Sequence, residues 1–535
     1  MTLPQHLEFL LSPRAFPHPV KEVRLVETHI SWLLLTGDFV YKIKRPVQFP
    51  FVDLRSTGHR DFLCHEEVRL NRRFAPTVYL GVSHITAGDQ GAQIDGTGPV
   101  LESCVRMRQF DSGQQLDHLL ERNAIRPDEL CEFGRELARI HATLPTVDAT
   151  HHWGQPEAIR AMLMRNLDEC AETLGNRLVP ALRARLDEVA QGAAGWMAVR
   201  RSGGRVRECH GDLHCSNIVR LAGRLCAFDC LEFDPALRWI DVADEIAFLL
   251  ADLAPYDNPM LQQAFLAGYL LESGDYEAAR FLFLYEAHRY LVRAKVVTLS
   301  REGPSALAFV AAAQRVLSPK RPVLILMSGL SGSGKSWLAR QLAPSIGAIH
   351  LRSDVERKRL AGMDIGAHAA AAPGTGLYSA QMSERLQESL LANAEALLSG
   401  GLTTLVDATF IRRSHRRAFL NLAARLQAPI RIVRCEASLD ILRERIEKRA
   451  KRGADPSDAD SSVLQWQLQH EEPFDSEEAR LVLCVSSEDP QVLQTTIRHL
   501  EPFLERLAPF DVSAAVADSC SSESPGDSSR GCADP

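Results

Sequence analysis

The stretch CHGDLHCSNIV, residues 209–219, is the most informative part of the chain, and it supports two interpretations. It contains four side chains of the types that bind zinc: Cys209, His210, His214 and Cys215. The same stretch contains the pattern H-G-D-x-x-x-x-N, in which an acid and an amide are spaced as in loops that transfer phosphate. The rest of the sequence indicates whether this stretch is a zinc site or a catalytic loop.

The zinc interpretation finds little support elsewhere in the chain. Protein zinc sites normally take their ligands as two separated pairs around a tetrahedral ion, whereas here one short loop would supply all four. The 12 cysteines are scattered without any C-x-x-C pair, which favours a reducing compartment over a disulfide framework. We therefore interpret Cys209 and Cys215 as small buried side chains that flank the loop.

Phosphoryl transfer explains more of the surrounding sequence. The reaction needs a carboxylate beside the attacking hydroxyl, together with groups that hold Mg²⁺ against the nucleotide phosphates. Asp212 is the candidate base, and the amide of Asn217 is a candidate metal ligand. A second metal ligand is expected at Asp229, which ends the apolar strand RLCAFD one hairpin further on.

Two further parts of such a site are expected upstream: a strand lysine that reaches the phosphates and a helix glutamate that orients it. FVYKIK places Lys42 and Lys44 on one face of a strand because side chains alternate, and spacing alone does not separate them. The next helix offers Glu66 and Glu67. A strand lysine taken singly suits an exposed sheet edge, but the joint order of lysine, glutamate, H-G-D-x-x-x-x-N and aspartate favours an active site.

A second phosphate-binding motif lies in the other half of the chain. The stretch GLSGSGKS matches G-x-x-x-x-G-K-[ST] in full, after an apolar strand and before a helix. Backbone N–H groups of such a loop curl around phosphates, with Lys335 reaching the β- and γ-phosphates and Ser336 binding Mg²⁺. The residues predicted to bind nucleotide are Gly329, Leu330, Ser331, Gly332, Ser333, Gly334, Lys335 and Ser336.

Charged residues after this loop suggest the rest of a second site. Asp354 and Asp407 each follow a strand, at the edge where open α/β sheets bind ligands, and Asp407 is a candidate metal ligand. Arg445 and Arg449 share a helical face and could neutralise the transferred phosphoryl group, although a solvated face explains the same spacing. Four arginines in IRRSHRRAF suit an anionic acceptor or an exposed helix start: Arg412, Arg413, Arg416 and Arg417.

The order of elements divides the chain into domains. Residues 1–318 begin with strands and continue with helices, whereas residues 322–508 alternate the two, as expected of an α/β domain around a parallel sheet. Between them, residues 319–322 form a linker marked by two prolines, and residues 509–535 are expected to be disordered.

Composition excludes some classes of protein. A net charge of −7 and a pI of about 6.2 argue against a generally basic nucleic-acid binder, though not against a local basic patch. No apolar run approaches the roughly 20 residues that span a bilayer, and the first residues make a poor signal peptide. We expect a cytoplasmic protein without a membrane partner; composition leaves the oligomeric state open.

Residues 1 to about 318 resemble the aminoglycoside phosphotransferase-like kinases, a branch of the protein-kinase-like α+β fold. The resemblance rests on HGDLHCSNIV, the strand before Asp229, and FDPALRWIDVADEIAFLL. It implies Asp212 as base, Asn217 and Asp229 as Mg²⁺ ligands, and Lys42 with Glu67 as the phosphate lysine and its partner.

The same resemblance allows two interpretations of the segment that covers the nucleotide phosphates. It places CVRMRQF, residues 104–110, near the segment that holds adenine. No G-x-G-x-x-G precedes Lys42, so the phosphate lid is either short or formed by ETHIS, residues 27–31.

Residues 322 to about 505 resemble small P-loop kinases of the gluconate-kinase, polynucleotide-kinase and zeta-toxin kind. The shared features are the GLSGSGKS loop, the S-D after the next strand, VDAT and R-x-x-x-R. The resemblance implies Asp354 as the base for an acceptor hydroxyl, with Arg445 and Arg449 as lid arginines.

Together the resemblances imply a bifunctional kinase that uses ATP and Mg²⁺ to phosphorylate small-molecule or nucleotide hydroxyls. The domain order is similar to that of uncharacterised bacterial proteins that pair the same two domains. Two alternatives remain open at this point. Either only the P-loop domain turns over and the first domain is an ATP-binding regulatory module, or the chain processes nucleic-acid ends.

Overall fold

The computed structural model describes residues 3–49, 52–174, 179–300, 306–366, 379–452 and 461–504. The tail 509–535, expected to be disordered, lies outside these residues. No helix in the described part of the chain is both long and apolar enough to cross a bilayer.

The first domain begins with an antiparallel sheet of six strands in the order β1-β2-β3-β8-β6-β7. A helix, α1 (Thr57–Asn71), packs on β6 and β8, and this packing turns Glu67 towards the sheet. The strands up to this point are β1 (Arg24–Glu27), β2 (Ser31–Leu35), β3 (Phe39–Lys44), β4 (Gln48–Phe49), β5 (Val52–Asp53), β6 (Tyr79–Gly88), β7 (Gly91–Ile94) and β8 (Val100–Arg108).

Helices make up most of the remainder of this domain. They are α2 (Leu116–Glu121), α3 (Pro127–Thr143), α4 (Pro156–Leu174), α5 (Val179–Ser202), α6 (Pro235–Arg238), α7 (Val242–Leu253), α8 (Pro259–Ser273), α9 (Ala279–Ser300) and α10 (Ala306–Leu317). Two antiparallel strand pairs frame the 209–219 loop: β9 (Val206–Glu208) with β12 (Trp239–Asp241), and β10 (Ile218–Leu221) with β11 (Arg224–Ala227). Every residue of α7 is buried, as expected for a helix that is apolar on most sides.

The second domain is built on a parallel sheet in the order β14-β15-β13-β16-β17. Its strands are β13 (Leu324–Ser328), β14 (Ile349–Arg352), β15 (Thr404–Asp407), β16 (Ile430–Glu436) and β17 (Val482–Ser486). Its helices are α11 (Lys335–Ser345), α12 (Ser353–Leu360), α13 (Ala380–Ser399), α14 (Arg413–Arg425), α15 (Leu439–Arg452), α16 (Ser461–His470) and α17 (Val492–Leu500). Both predicted fold classes are confirmed: an α+β kinase-like domain precedes an α/β P-loop domain.

The two domains share one apolar core. Side chains alternate along β13, and the two faces of this strand belong to different clusters of buried residues. Ile325 and Met327 pack within the second domain, whereas Leu324 and Leu326 belong to a cluster that also includes Tyr276 and many other residues of the first domain. The predicted linker is exposed from 319 to 321, yet the cores that it connects are continuous. The domain boundaries themselves stay a prediction.

Candidate active sites

Two carboxylates of α7 accept hydrogen bonds from the backbone of the 209–219 loop. Glu245 accepts hydrogen bonds from the backbone N–H groups of His210, at 2.6 Å, and Gly211, at 3.0 Å. Asp252 accepts one from the N–H of Cys215 at 2.8 Å. Gly211 has a φ of 86°, and a Cβ there would lie 2.9 Å from a backbone oxygen. Helix α7 therefore fixes the conformation of the loop.

The four side chains of the zinc interpretation do not converge. His210 donates through Nε2 to the carbonyl oxygen of Phe228 at 2.8 Å, and the thiol of Cys209 lies 3.7 Å from the carbonyl oxygen of Ile240. Burial raises the pKa of the Cys209 and Cys215 thiols well above its usual value, so both stay protonated. These side chains are part of the loop's packing, as the phosphoryl-transfer interpretation requires.

A different trio of potential ligands lies under the loop. It consists of His141, Cys209 and Glu245, whose potential metal-ligand atoms lie within 4.8 Å of one another. No other group of three potential metal ligands occurs among the described residues. Burial lowers the pKa of His141 to about 3 and raises that of Glu245 to about 7. His141 Nδ1 bonds the Tyr269 hydroxyl at 2.9 Å, and both Glu245 oxygens accept loop N–H groups. The trio therefore supports the loop as neutral or hydrogen-bonded groups.

Asp212 lies in the 209–219 loop with 36% of its side chain exposed. Asn217 donates through Nδ2 to the carbonyl oxygen of Asp212 at 3.0 Å and to its Oδ2 at 3.2 Å, which leaves the amide oxygen of Asn217 as an acceptor. Burial alone would raise the pKa of Asp212, but the His214 imidazole, 3.4 Å from Oδ2, outweighs it and lowers the pKa to about 2. Asp212 is therefore ionised at neutral pH and can orient a hydroxyl.

The two candidate lysines share a face of β3 but have different partners. Lys42 Nζ lies 2.5 Å from Asp229 Oδ1 and 2.8 Å from Glu67 Oε1. Lys44 bonds the other oxygen of Glu67 at 2.7 Å and also pairs with the buried Glu232. The Lys42 side chain is 10% exposed and that of Lys44 only 1%. The geometry favours Lys42 as the lysine that faces nucleotide.

Asp229 and Asn217 come together where the β10–β11 hairpin ends. The N–H of Phe228 donates to the carbonyl oxygen of Asn217 at 2.9 Å. Asp229 follows in the left-handed region, with a φ of 65°, and its N–H donates to the Tyr79 hydroxyl at 3.1 Å. Its carboxylate is 42% exposed. A carboxylate and an amide oxygen side by side are hard oxygen donors of the kind that suit Mg²⁺, so these two residues would hold that ion.

The remaining predicted parts of this site lie around the sheet. Residues 104–110 cover the end of β8 and the start of the chain that leads to α2. ETHIS forms the turn between β1 and β2, where the Thr28 hydroxyl donates to the carbonyl oxygen of Ser31 at 3.1 Å. Glu66 faces away from both lysines and pairs with an arginine of its own helix.

The GLSGSGKS loop runs from the end of β13 into α11, which begins at Lys335. Gly329, Gly332 and Gly334 have φ values of 139°, 85° and 86°, a region that other residues avoid. A Cβ on Gly332 would lie 2.7 Å from the carbonyl oxygen of Leu442 in α15. The loop therefore has the tight, side-chain-free backbone that cradles phosphates.

Asp407 ends β15 beside this loop and is only 4% exposed. Its Oδ2 accepts from His350 Nε2 at 3.3 Å, while its buried Oδ1 has no hydrogen-bond partner among the described residues. Burial would raise the pKa of Asp407, but His350, Lys335 and the Ser336 hydroxyl lower it to about 2. An ionised carboxylate with one unpartnered oxygen fits Mg²⁺, which Asp407 and Ser336 would hold.

A cavity of about 380 Å³ opens between the loop and helices α12, α13, α14 and α16. Asp354 lies in the first turn of α12 and lines this cavity together with Lys335 and Asp407. Other polar and aromatic groups of the lining are Arg357, Glu384, Arg412, His415, Trp466 and Gln467. The structure thus brings the candidate base to the same space as the phosphate-binding lysine and the candidate metal ligand.

The predicted lid arginines lie on α15. Arg445 donates to the Ser487 hydroxyl at 2.7 Å and to the carbonyl oxygen of Gly332 at 3.3 Å, so its guanidinium rests on the phosphate loop. Arg449 belongs to the same helix, but its side chain lies outside the described residues.

The arginines of IRRSHRRAF divide into different environments. Arg416 is 1% exposed and pairs with Glu478 at 2.8 Å, so it is a structural residue. Arg417 pairs with Glu477 on the surface, and the backbone N–H of Arg413 donates to Glu472. Arg412 is the member of the set that lines the cavity. An anionic acceptor would therefore meet Arg412, whereas the other three make contacts elsewhere.

Two contacts were not predicted from the sequence. Gln467 of α16 accepts a hydrogen bond from the N–H of Ser331 in the phosphate loop at 2.8 Å, and a lone glutamine on a short helix carries no local pattern that reveals this. Glu245 could have been found, because a carboxylate within an apolar helix is costly to bury unless polar groups meet it.

Comparisons with known proteins support the two-domain organisation of this chain. The profile of the phosphotransferase enzyme family matches residues 36–282, and that of the AAA domain matches residues 324–474. Uncharacterised proteins of Mycobacterium tuberculosis and Mycobacterium bovis are each 30% identical over 451 residues, which is 82% of this chain and 89% of theirs. The chain belongs to the family of these mycobacterial proteins. This chain combines an aminoglycoside phosphotransferase-like domain with a P-loop kinase domain, as the sequence predicts.

Solved kinase structures resemble parts of this family member. A choline kinase from Cryptosporidium parvum is 10% identical, with 59% of this chain and 93% of that one covered and a TM-score of 0.36. A choline/ethanolamine kinase family protein from Mesorhizobium loti is 13% identical, with 56% and 89% covered and a TM-score of 0.33. A gluconokinase from Sinorhizobium meliloti is 21% identical, with 35% and 95% covered and a TM-score of 0.25. These scores are too low to transfer functional detail.

Proposed function

We propose that the chain is a bifunctional phosphotransferase that moves the γ-phosphoryl group of ATP to hydroxyl acceptors at two separate sites. The observation that carries this proposal is the cavity of about 380 Å³ that Lys335, Asp354 and Asp407 line together. A phosphate-binding lysine, a metal ligand and a base surround a space that admits a small acceptor. In-line phosphoryl transfer requires these groups.

At the P-loop site, the backbone of residues 329–334 and Lys335 bind the phosphates, and Ser336 with Asp407 binds Mg²⁺. Arg445, which bonds the Gly332 carbonyl oxygen of the loop and the Ser487 hydroxyl, would neutralise charge on the transferred group, and Arg449 would join it. Asp354 accepts the proton of the acceptor hydroxyl.

At the other site, Lys42 binds the nucleotide phosphates and Glu67 orients it, while Asn217 and Asp229 hold Mg²⁺. The contact of Lys42 with both carboxylates supports these roles. Asp212, held by Asn217 and His214, orients the acceptor hydroxyl.

The acceptor class favoured at the P-loop site is a small molecule or nucleotide. The cavity is bounded by several helices, and Arg416 and Arg417 pair with acids outside it rather than extending Arg412 into a basic groove. A strongly salt-dependent affinity for oligonucleotides would instead favour nucleic-acid end processing.

The test is phosphate transfer from radiolabelled ATP to pooled metabolites and oligonucleotides by the full chain. Asp212→Asn and Asp354→Asn should each remove a different set of products, with a rate loss of about 10² to 10⁴ because each removes a general base. Nucleotide binding should persist in both variants, since the phosphate and metal contacts remain. Lys335→Ala should weaken ATP binding at the P-loop site alone.

A matched control is Asp440→Asn, which changes an aspartate that is 98% exposed. If Asp212→Asn leaves every product unchanged, the first domain is a regulatory module rather than a kinase. If Asp354→Asn does so, the assignment of the P-loop base is wrong.

A further inference from the structure

Helix α12, which carries Asp354 in its first turn, is held by the first domain. The Tyr276 hydroxyl, between α8 and α9, donates to Glu356 Oε1 at 3.2 Å. Arg359 donates to the carbonyl oxygen of Leu271 at 2.5 Å and also pairs with Glu356. Two consecutive turns of this short helix are thus bonded to residues 80 and 88 positions earlier in the chain.

These contacts include a buried carboxylate, that of Glu356, so they are sensitive to geometry. Glu356 is 2% exposed, and its other oxygen lies 3.4 Å from Asn393 Nδ2. A carboxylate at this depth is costly unless its partners are well placed, so removing one partner penalises the packed arrangement. Gly274 ends α8 with a φ of 65°, and a Cβ there would lie 2.4 Å from Arg359 Nε. The guanidinium therefore lies directly against the α8 terminus.

The strand that leads into α12 is held from the same side. Gln263 of α8 donates to the carbonyl oxygen of Ala348 at 2.8 Å, immediately before β14. Because β14 ends at Arg352 and α12 begins at the next residue, the first domain is bonded both to the residue before β14 and to the helix that contains Asp354. The phosphate loop and Lys335 follow β13 and begin α11, which pack against the first domain through apolar side chains and receive none of these hydrogen bonds.

Ion pairs connect the neighbour of Tyr276 to the helix that supports the 209–219 loop. Asp275, next to Tyr276, pairs with Arg200 at 2.7 Å, and Arg200 pairs with Asp241 at 2.6 Å. Asp241 caps α7, the helix whose Glu245 supports the 209–219 loop. Tyr276 therefore projects from a rigid part of the first domain.

We propose that Tyr276, Glu356 and Arg359 are positioning residues for Asp354, so that the P-loop site reaches its full rate only while the first domain is packed against α12. The inference rests on the proposed role of Asp354 as a base. A helix of eight residues is marginal by itself, so its orientation depends on packing. A small displacement of a base lowers the rate of the chemical step, while the separate phosphate contacts keep nucleotide affinity unchanged.

The experiment uses the full chain with Asp212→Asn as background, so that only the P-loop site turns over. The probe is MgATP with water as acceptor, followed by ADP release. Tyr276→Phe removes one hydroxyl and leaves the ring, and it should lower kcat about tenfold while the KM for ATP changes by less than about twofold. Tyr285→Phe is the matched control, because this buried α9 tyrosine makes no hydrogen bond through its hydroxyl within the described residues.

A second measurement is amide hydrogen exchange of residues 353–360, which should become faster in Tyr276→Phe and not in Tyr285→Phe. Arg359→Lys keeps a cation beside Glu356 but removes the planar fork that also reaches Leu271, so its kcat should also fall with an unchanged KM. If Tyr276→Phe lowers the melting temperature so far that kcat cannot be measured, the kcat of Arg359→Lys tests the positioning role instead.

The outcomes separate the two proposals. If Asp354→Asn does not slow hydrolysis, the assigned base is wrong and the proposed function of this site fails. If Asp354→Asn slows hydrolysis but Tyr276→Phe and Arg359→Lys match the Tyr285→Phe control in kcat, the base stands and the positioning role is wrong.

Discussion

His210 of the 209–219 loop and His141, which is buried beside that loop, are both uncharged. Burial lowers the pKa of His141 to about 3 and that of His210 to about 4, far below the usual value for the side chain. Both ring nitrogens of His210 are hydrogen-bonded, to Asp212 and Phe228, whereas His141 Nε2 has no hydrogen-bond partner in the described part of the chain. Neutral imidazoles at these positions make folding stability dependent on pH.

The sign of this dependence follows from proton binding. Between pH 6.5 and about 3 the unfolded chain protonates His141 and the folded chain does not, so stability falls as the pH is lowered through this window. We predict that His141→Gln flattens the pH dependence of stability there, by at most about 1.4 kcal/mol per pH unit, which is the contribution of one proton. Denaturant unfolding at several pH values measures this slope. Parallel curves for the two proteins would mean that His141 is protonated in the folded state.

At the scale of elements, the phosphate loop lies in direct contact with α15. Gly332 meets the carbonyl oxygen of Leu442, and Arg445 of the same helix bonds the Gly332 carbonyl oxygen. The helix that carries Arg445 thus lies against the loop at a position where a Cβ would collide with backbone.

A substitution at Gly332 separates this contact from backbone strain. Gly332→Ala should weaken ATP binding at the P-loop site by at least about tenfold, because the methyl group must displace either α15 or the loop. Gly347→Ala is the control, since Gly347 has a similar positive φ of 65° with open space around its Cβ position. It should cost about 1 to 2 kcal/mol of stability and leave ATP binding intact. Titration calorimetry on both variants measures the difference, and equal affinities would show that the α15 contact is unimportant.

The sequence predicts elements well where the signal is local. The alternation of strands and helices after residue 322 and the GLSGSGKS loop both come from neighbouring residues, and the structure has the predicted sheet. Lys42 and Lys44 could not be separated, because strand periodicity places both on one face and only the distant Asp229 distinguishes them. The contact of Tyr276 with Glu356 has no sequence signal, since it depends on how two domains pack.

For the whole molecule, the continuous core changes what the linker can do. Pro319, Lys320 and Arg321 are exposed, but Leu324 on the far side of them packs into the same cluster as Tyr276 and Leu317. A break in the chain at this point leaves that packing intact.

Limited trypsin treatment tests this arrangement. Cleavage after Lys320 should give two fragments that co-elute in size-exclusion chromatography under native conditions and separate only in denaturant, because apolar burial and not the linker holds them together. Uncleaved protein kept in the same denaturant and refolded is the control. Fragments that separate without denaturant would show two independent cores, joined only by the linker.

The shared core also has a consequence for synthesis on the ribosome. Helices α8 and α9 emerge before β14, α13 and β15, the elements that cover them in the finished protein. At about 5–20 residues per second, the nascent chain carries this uncovered apolar face for several seconds. Chaperones that recognise apolar surface therefore have a defined target on the growing chain, and a ribosome that stops within the second domain releases an aggregation-prone product.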